Sequence, residues 1–293
     1  MKNNSAGSII FDILNYTFLL ILALLCILPI VHIFAVSLSG KAAVSANTVG
    51  LIPVNFHLTS YKMILESKGF FDAFLVTVSR TLIGTSLTLL LLIFAGYPLS
   101  RPDRELKGRT FLMWFIFLPI LFKAGMIPTF LVIRNLNLLN SFWALVLPRA
   151  VPIFSVLLMM NAFRSVPDSL YEAALIDGAG HMTIMFGIFV PLILPTIATL
   201  MLFSMVDNWN EWFSGLIYLN NKNMWPLQTY LRQLIVTRDF TDLDPTDITA
   251  INMLSDRAFK AAQIITATAP IIISYPFLQR FFVKGVITGG VKE

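Results

Sequence analysis

The sequence predicts an all-α membrane protein of about six transmembrane helices, and three observations carry that prediction. Hydrophobic residues make up 57% of the 293 positions, and mean hydropathy is +0.78. Charged residues make up only 13%, about half the usual share in soluble domains. Apolar runs of about 20 residues recur along the chain, the length one helix needs to cross a bilayer core.

The remaining composition narrows the class. A net charge of +5 fits lysines and arginines at a membrane surface, and no soluble basic face points to nucleic acid. Cys26 is the single cysteine and lies in an apolar run, so no disulfide or thiolate metal site is expected. His32, His57 and His181 are too far apart in sequence to read as a ligand set.

In chain order, the first expected span covers residues 13–36, too long for a signal-peptide core and without a convincing cleavage site. A mixed stretch, 37–69, reads as an outer loop, and the second span covers 70–99. Arg101, Arg104, Lys107 and Arg109 follow within a few residues. A short dense basic cluster marks the cytoplasmic side, which also places the N-terminus there. The third span covers 111–133 and the fourth 141–163, each interrupted by proline and a cation. The fifth covers 188–206, followed by a long outer segment from Asp207 to Lys260. The sixth covers 261–283 and leads into a cytoplasmic tail. The whole chain, 1–293, is thus expected to be one transmembrane domain with both ends inside.

Residues 165–187 are the sizeable polar interruption. Ser165 and Asp168 have capping-box spacing, and Pro167 suits a first helical turn, so a helix is expected over Val166–Ile176. Asp177-Gly178 and Gly180 end it, since glycine takes the left-handed conformation a helix C-terminus often needs. Leu170, Ala173, Ala174 and Asp177 share one face by spacing, and paired alanines would let another backbone approach. By spacing alone, an ordinary helical loop explains the segment equally well.

The motif decides between them. YEAALIDGAG followed by Ile188, Val190 and Pro191 resembles the EAA loop of bacterial binding-protein-dependent ABC importers. Glu172, Ala173, Ala174, Gly178, Ile188 and Pro191 match it, and Val190 replaces a leucine. The stretch WNEW with WPLQTYLRQ, and the ending YPFLQRFFVKGVITGGVKE, are similar to carbohydrate-importer permeases of the maltose-permease type. More narrowly they resemble the subgroup for complex polysaccharides, aldouronate and alginate. The resemblance implies a type I ABC importer permease fold, with Glu172, Ala173, Ala174, Asp177, Gly178 and Pro191 coupling the pore to an ATPase. It also implies the partners: two ATP-binding cassette subunits, a second permease subunit of different sequence, an extracytoplasmic binding protein and membrane lipid. ATP and Mg²⁺ then belong to the ATPase subunits, and this chain is expected to hold no cofactor. Its nearest approach to a phosphate-cradling loop is Gly40-Lys41, with Ala35 and Ala42 where glycine and Ser or Thr are required.

Charges inside apolar runs mark function by default. Arg149, Lys123 and Arg80 are such charges, with few carboxylates in the spans to neutralise them. They would suit an anionic sugar; alternatively they snorkel to the outer interface, or the third and fourth regions contain irregular outer segments. Trp209, Asn210 and Glu211 offer stacking and hydrogen-bonding groups for a sugar, while tryptophan is also common at interfaces for structural reasons. The acidic run Asp239, Asp242, Asp244 and Asp247 lacks the spacing of a calcium loop. An ion-gradient transporter is the alternative. It would favour carboxylates at mid-membrane and inverted repeats, and neither is visible.

Overall fold

The computed structural model describes residues 6–122, 124–237 and 256–289. Lys123 and the acidic run from Asp239 to Asp247 lie outside them. Within them the regular elements are helical, with one isolated bridge between Ser39 and Phe56. The chain divides into two units, residues 1–68 with 237–270 and residues 69–236 with 271–293.

In the first unit, α1 (Ala6–Ser37) runs 32 residues, about 48 Å. The stretch after it, expected as a loop, contains two short helices, α2 (Lys41–Ser45) and α3 (Thr59–Glu66). Ser37 Oγ donates to the Phe34 carbonyl and meets the Tyr61 hydroxyl at 2.7 Å, which ties α3 to the end of α1. Ala35 and Val36 pack with Ala43, Val44 and Val49, and with Ala258 and Ala261.

The second unit begins with α4 (Lys68–Ser100), 33 residues or about 50 Å long. Next come α5 (Arg109–Leu121) and α6 (Met126–Asn135), where one span over 111–133 was expected. The break has a local cause: Gly125 has φ +80°, outside the range of a continuing right-handed helix. The expected fourth span is likewise two pieces. A short α7 (Trp143–Val146) and a 3₁₀ turn at Leu147–Arg149 meet α8 (Ile153–Arg164) at a 53° bend. Pro148 and Pro152 lack a backbone N–H and crowd the preceding turn, and the two together favour a break here.

After α8 come α9 (Asp168–Ile176) and α10 (His181–Thr183). A π-helical stretch, Ile184–Phe189, then leads into α11 (Val190–Leu192). An 82° bend at Ile193 follows, and α12 (Leu194–Asn210) departs from it. The fifth span, expected over 188–206 with its first half bent at Pro191 and Pro195, is broken there: Pro195 falls in the first turn of α12, where its missing N–H costs nothing. The segment after Asn210 contains α13 (Phe213–Tyr218) and α14 (Leu227–Thr237). The expected sixth span lies inside α15 (Asp256–Gly289), which continues through residues 284–289 of the anticipated tail. Among the described residues, α1 and α4 are each long and apolar enough to cross a membrane, and counting the two bent pairs makes four.

The core of the second unit joins α4, α8, α9, the π-helical stretch and α12 through Leu92, Val156, Met159, Phe163, Ile184, Phe189 and Leu200. Lipid tails compete equally for apolar side chains, so close fit holds such helices together. Gly96 shows how close: a Cβ there would lie 2.7 Å from Met159 Cγ and 3.2 Å from the Met160 nitrogen. Gly96→Ala is therefore expected to destabilise the protein by about 1–3 kcal/mol through overpacking. A lowered thermal-unfolding midpoint of the purified complex would register it.

Candidate functional site

Two constellations stand at opposite ends of α4. The first is the α9 segment. Its start differs from the capping-box expectation, since Ser165 Oγ donates back to the Ala162 carbonyl at 2.8 Å and finishes α8. Pro167, extended at ψ 133°, occupies the cap position with no side-chain bond, and the helix begins at Asp168. A carboxylate in the first turn complements the helix dipole. The other end is a Schellman motif: Ala179 N–H donates to the Ala174 carbonyl at 2.9 Å and Gly178 N–H to Leu175 at 3.0 Å. Gly178 has φ +77°, which a residue with a Cβ reaches only at a cost.

This geometry sorts the motif residues onto two faces. Tyr171 and Ala174 are buried against the core, whereas Glu172, Ala173, Leu175 and Asp177 are exposed and Ile176 is 86% exposed. The expectation that both alanines face outward is corrected: Ala174 points inward, where its small side chain lets α9 sit close to the core, and Ala173 alone faces out. Pro191 lies exposed in α11, just before the 82° bend.

Under α9 sits a group that sequence reading took for a surface charge. Arg101 is only 5% exposed. Its guanidinium lies over the rings of Tyr171 at 4.8 Å, Phe189 at 4.9 Å and Tyr97 at 5.6 Å. One of its nitrogens is 3.9 Å from Asp168 Oδ1. Burial and the adjacent Glu105 carboxylate push the Tyr171 hydroxyl up to about 12, so it stays a protonated donor. Tyr97 Oη lies 3.3 Å from His181 Nδ1. Beside this cluster opens a pocket of about 260 Å³, walled by Phe94, Pro98, Arg101, Glu105, His181 and Met185.

The second constellation is a polar seam between α4 and α12. Thr77, Arg80, Thr81, Gly84, Thr85 and Thr88 are buried along one face of α4. Ser204 Oγ donates to Thr85 Oγ1 at 3.4 Å, and Asn208 Nδ2 donates to the Ser204 carbonyl at 2.9 Å. Arg80, 0% exposed, donates to Glu211 Oε2 at 2.6 Å and to the Glu211 carbonyl at 3.0 Å. Arg149 Nη2 donates to Asp207 Oδ2, and Arg149 Nη1 is 3.6 Å from Glu211 Oε1. That same carboxylate accepts from Ser214 N–H at 2.8 Å.

The expectation that few carboxylates are available to neutralise these cations is thus corrected for Arg80 and Arg149. Their carboxylates come from Asp207, inside α12 because that helix continues to Asn210, and from Glu211, the residue that ends it; both are expected in an outer segment from the sequence. Trp209 is buried edge-on against Phe74, with ring centroids 6.0 Å apart. Trp212 lies beneath the Arg232 guanidinium at 3.5 Å. Of the proposed sugar-contacting residues, Asn210 is exposed, and the Arg149 side chain is 39% exposed. No cluster of metal-ligating side chains occurs among the described residues. Sequence reading missed the threonine stripe, although Thr77, Thr81, Thr85 and Thr88 stand at the spacing of one helix face. It missed the role of Arg101 for want of any local signal.

Comparison with known proteins agrees with this architecture. Residues 4–288 match the family model described as binding-protein-dependent transport system inner membrane component. The chain is 40% identical, over the full length of both, to the polygalacturonan/rhamnogalacturonan transport system permease protein YtcP of Bacillus subtilis. It is 37% identical over its full length, and 98% of the relative, to protein LplC of the same organism. Among solved structures, a chain of a bacterial ABC transporter involved in the import of the acidic polysaccharide alginate superposes with TM-score 0.88 at 32% identity. That match covers 96% of this chain and 100% of the other. The chain belongs to the binding-protein-dependent transport system inner membrane components, the permease subunits of ABC importers, and has their type I fold.

Proposed function

We propose that this permease imports an acidic oligo- or polysaccharide, a uronate-rich chain of the alginate or aldouronate kind. A separate ATPase drives it through the outward face of α9. The observation that carries the coupling half is the two-sided build of α9. Tyr171 and Ala174 anchor it inside, while Glu172, Ala173, Ile176 and Asp177 stay open to a partner. Gly178 fixes where the helix stops, and Pro191 lies in the short helix just before the 82° bend.

In this reading the partners are two ATP-binding cassette subunits, a second permease chain of different sequence and a binding protein outside the membrane. ATP and Mg²⁺ bind in the cassette subunits, and this chain has neither an ATP site nor a cofactor of its own. The protein is a multi-pass component of the inner membrane. The whole of 1–293 forms one domain of six crossings with both termini in the cytoplasm. The contact between Arg101 and Asp168 supports that orientation, because it puts α9 on the same side as Arg104, Lys107 and Arg109. Affinity purification from the native host tests the coupling half: an ATP-binding cassette subunit is expected to come with the chain, and its absence would count against it.

The acidic-cargo half rests on the 32%-identical alginate transporter chain and the polygalacturonan relative, and on Arg149. Its guanidinium is held by two carboxylates yet partly open, so a passing uronate carboxylate can exchange with them. Arg149→Gln removes one charge-assisted contact of about 1.5–3 kcal/mol. Uptake of an acidic oligosaccharide is expected to slow about tenfold relative to a neutral one of equal length. Equal effects on both would remove Arg149 from the path.

A further inference from the structure

Arg101 is the first residue beyond α4, and unlike the nearby Arg104 and Lys107 it is buried. The Arg104 side chain is 79% exposed and free to mark a membrane surface, while Arg101 is enclosed by three rings from three separate segments. Tyr97 belongs to the last turns of α4, Tyr171 to α9 and Phe189 to the end of the π-helical stretch. The Asp168 contact adds the first turn of α9, and Nε donates to Ser100 Oγ at 3.3 Å. A guanidinium can lie against aromatic rings and still direct its fixed fork of N–H groups to oxygen acceptors. One side chain therefore joins the α9 segment to α4 and to the element that continues into α12.

We propose that Arg101 is a positioning residue for transport, a latch that makes the end of α4 follow α9. This rests on the reading of α9 as the ATPase contact. From Arg101 to Arg80 the chain is 21 residues of nearly unbroken helix, about 32 Å. At that far end Arg80 is bonded to Glu211, and α12 runs back from there to the bend at Ile193. Displacement of α9 is thus carried along α4 to the Arg80–Glu211 seam.

The assembled importer in proteoliposomes, with ATPase subunits and binding protein, provides the test. Arg101→Gln is expected to retain bound ATPase subunits, because the outward face of α9 is untouched, while sugar transported per ATP hydrolysed falls about tenfold. Arg101→Lys should recover part of that ratio. Wild-type transport per ATP in Arg101→Gln would overturn the latch. Should Arg101→Gln fail to assemble, Tyr171→Leu decides, since it removes one stacked ring. A reduced ratio supports the latch and an unchanged ratio overturns it. The α9 reading fails separately, if Glu172→Ala and Ile176→Asp on the outward face leave ATPase binding and uptake intact.

Discussion

Replacing Glu211 with leucine will destabilise the protein by about 3–5 kcal/mol, the usual result of stranding a buried charge by removing its partner. Arg80 has no exposed surface, and two of its hydrogen bonds end on Glu211, one on the carboxylate and one on the backbone carbonyl. The substitution removes the carboxylate, together with the bond it accepts from Ser214 and the nearby charge facing Arg149. Replacing both members of a buried pair by apolar groups of similar volume is commonly close to neutral, so Arg80→Met with Glu211→Leu should recover much of the loss. Thermal unfolding of the detergent-solubilised complex reads both. A single variant that melts like the wild type would mean that Arg80 finds another counter-charge.

Gly178→Val will abolish coupled uptake while leaving the chain in the membrane. At φ +77° a left-handed backbone costs an L-residue about 1–2 kcal/mol, and a β-branched one is worst placed. No atom lies within 4 Å of the position a Cβ would take, so strain and not crowding is responsible. The Schellman bonds from Gly178 and Ala179 weaken, the last turn of α9 frays, and Ile176 and Asp177 leave their positions. Uptake is expected to fall more than tenfold. Gly178→Asn separates strain from loss of glycine itself, because asparagine tolerates this conformation, and should retain most activity. Equal loss in both variants would contradict the backbone explanation.

The sequence carried the class, the α9 segment and the family resemblance, because long apolar runs and the EAA spacing are local patterns. The straight spans were less legible. Pro148, Pro152 and Pro195 were visible as interruptions, but the size of a bend depends on what packs around it. The polar seam was half visible. Arg80 and Arg149 stood out as intramembrane charges, while their partners did not, since the end of α12 at Asn210 has no sequence marker. Arg101 was hidden in a run of four basic residues with one apparent purpose. Its burial depends on Tyr171 and Phe189, 70 and 88 positions away, and a one-dimensional pattern cannot display that meeting.

In the proposed mechanism a separate ATPase acts on this permease through α9. The most direct measurement is uptake of an acidic oligosaccharide into proteoliposomes containing the permease pair, with ATPase subunits, binding protein and ATP added in turn. Uptake is expected only when all are present, and it is lost when Glu172→Ala and Ile176→Asp are combined on the outward face. Uptake that proceeds without ATP under a proton gradient, or that survives the double variant unchanged, would contradict it.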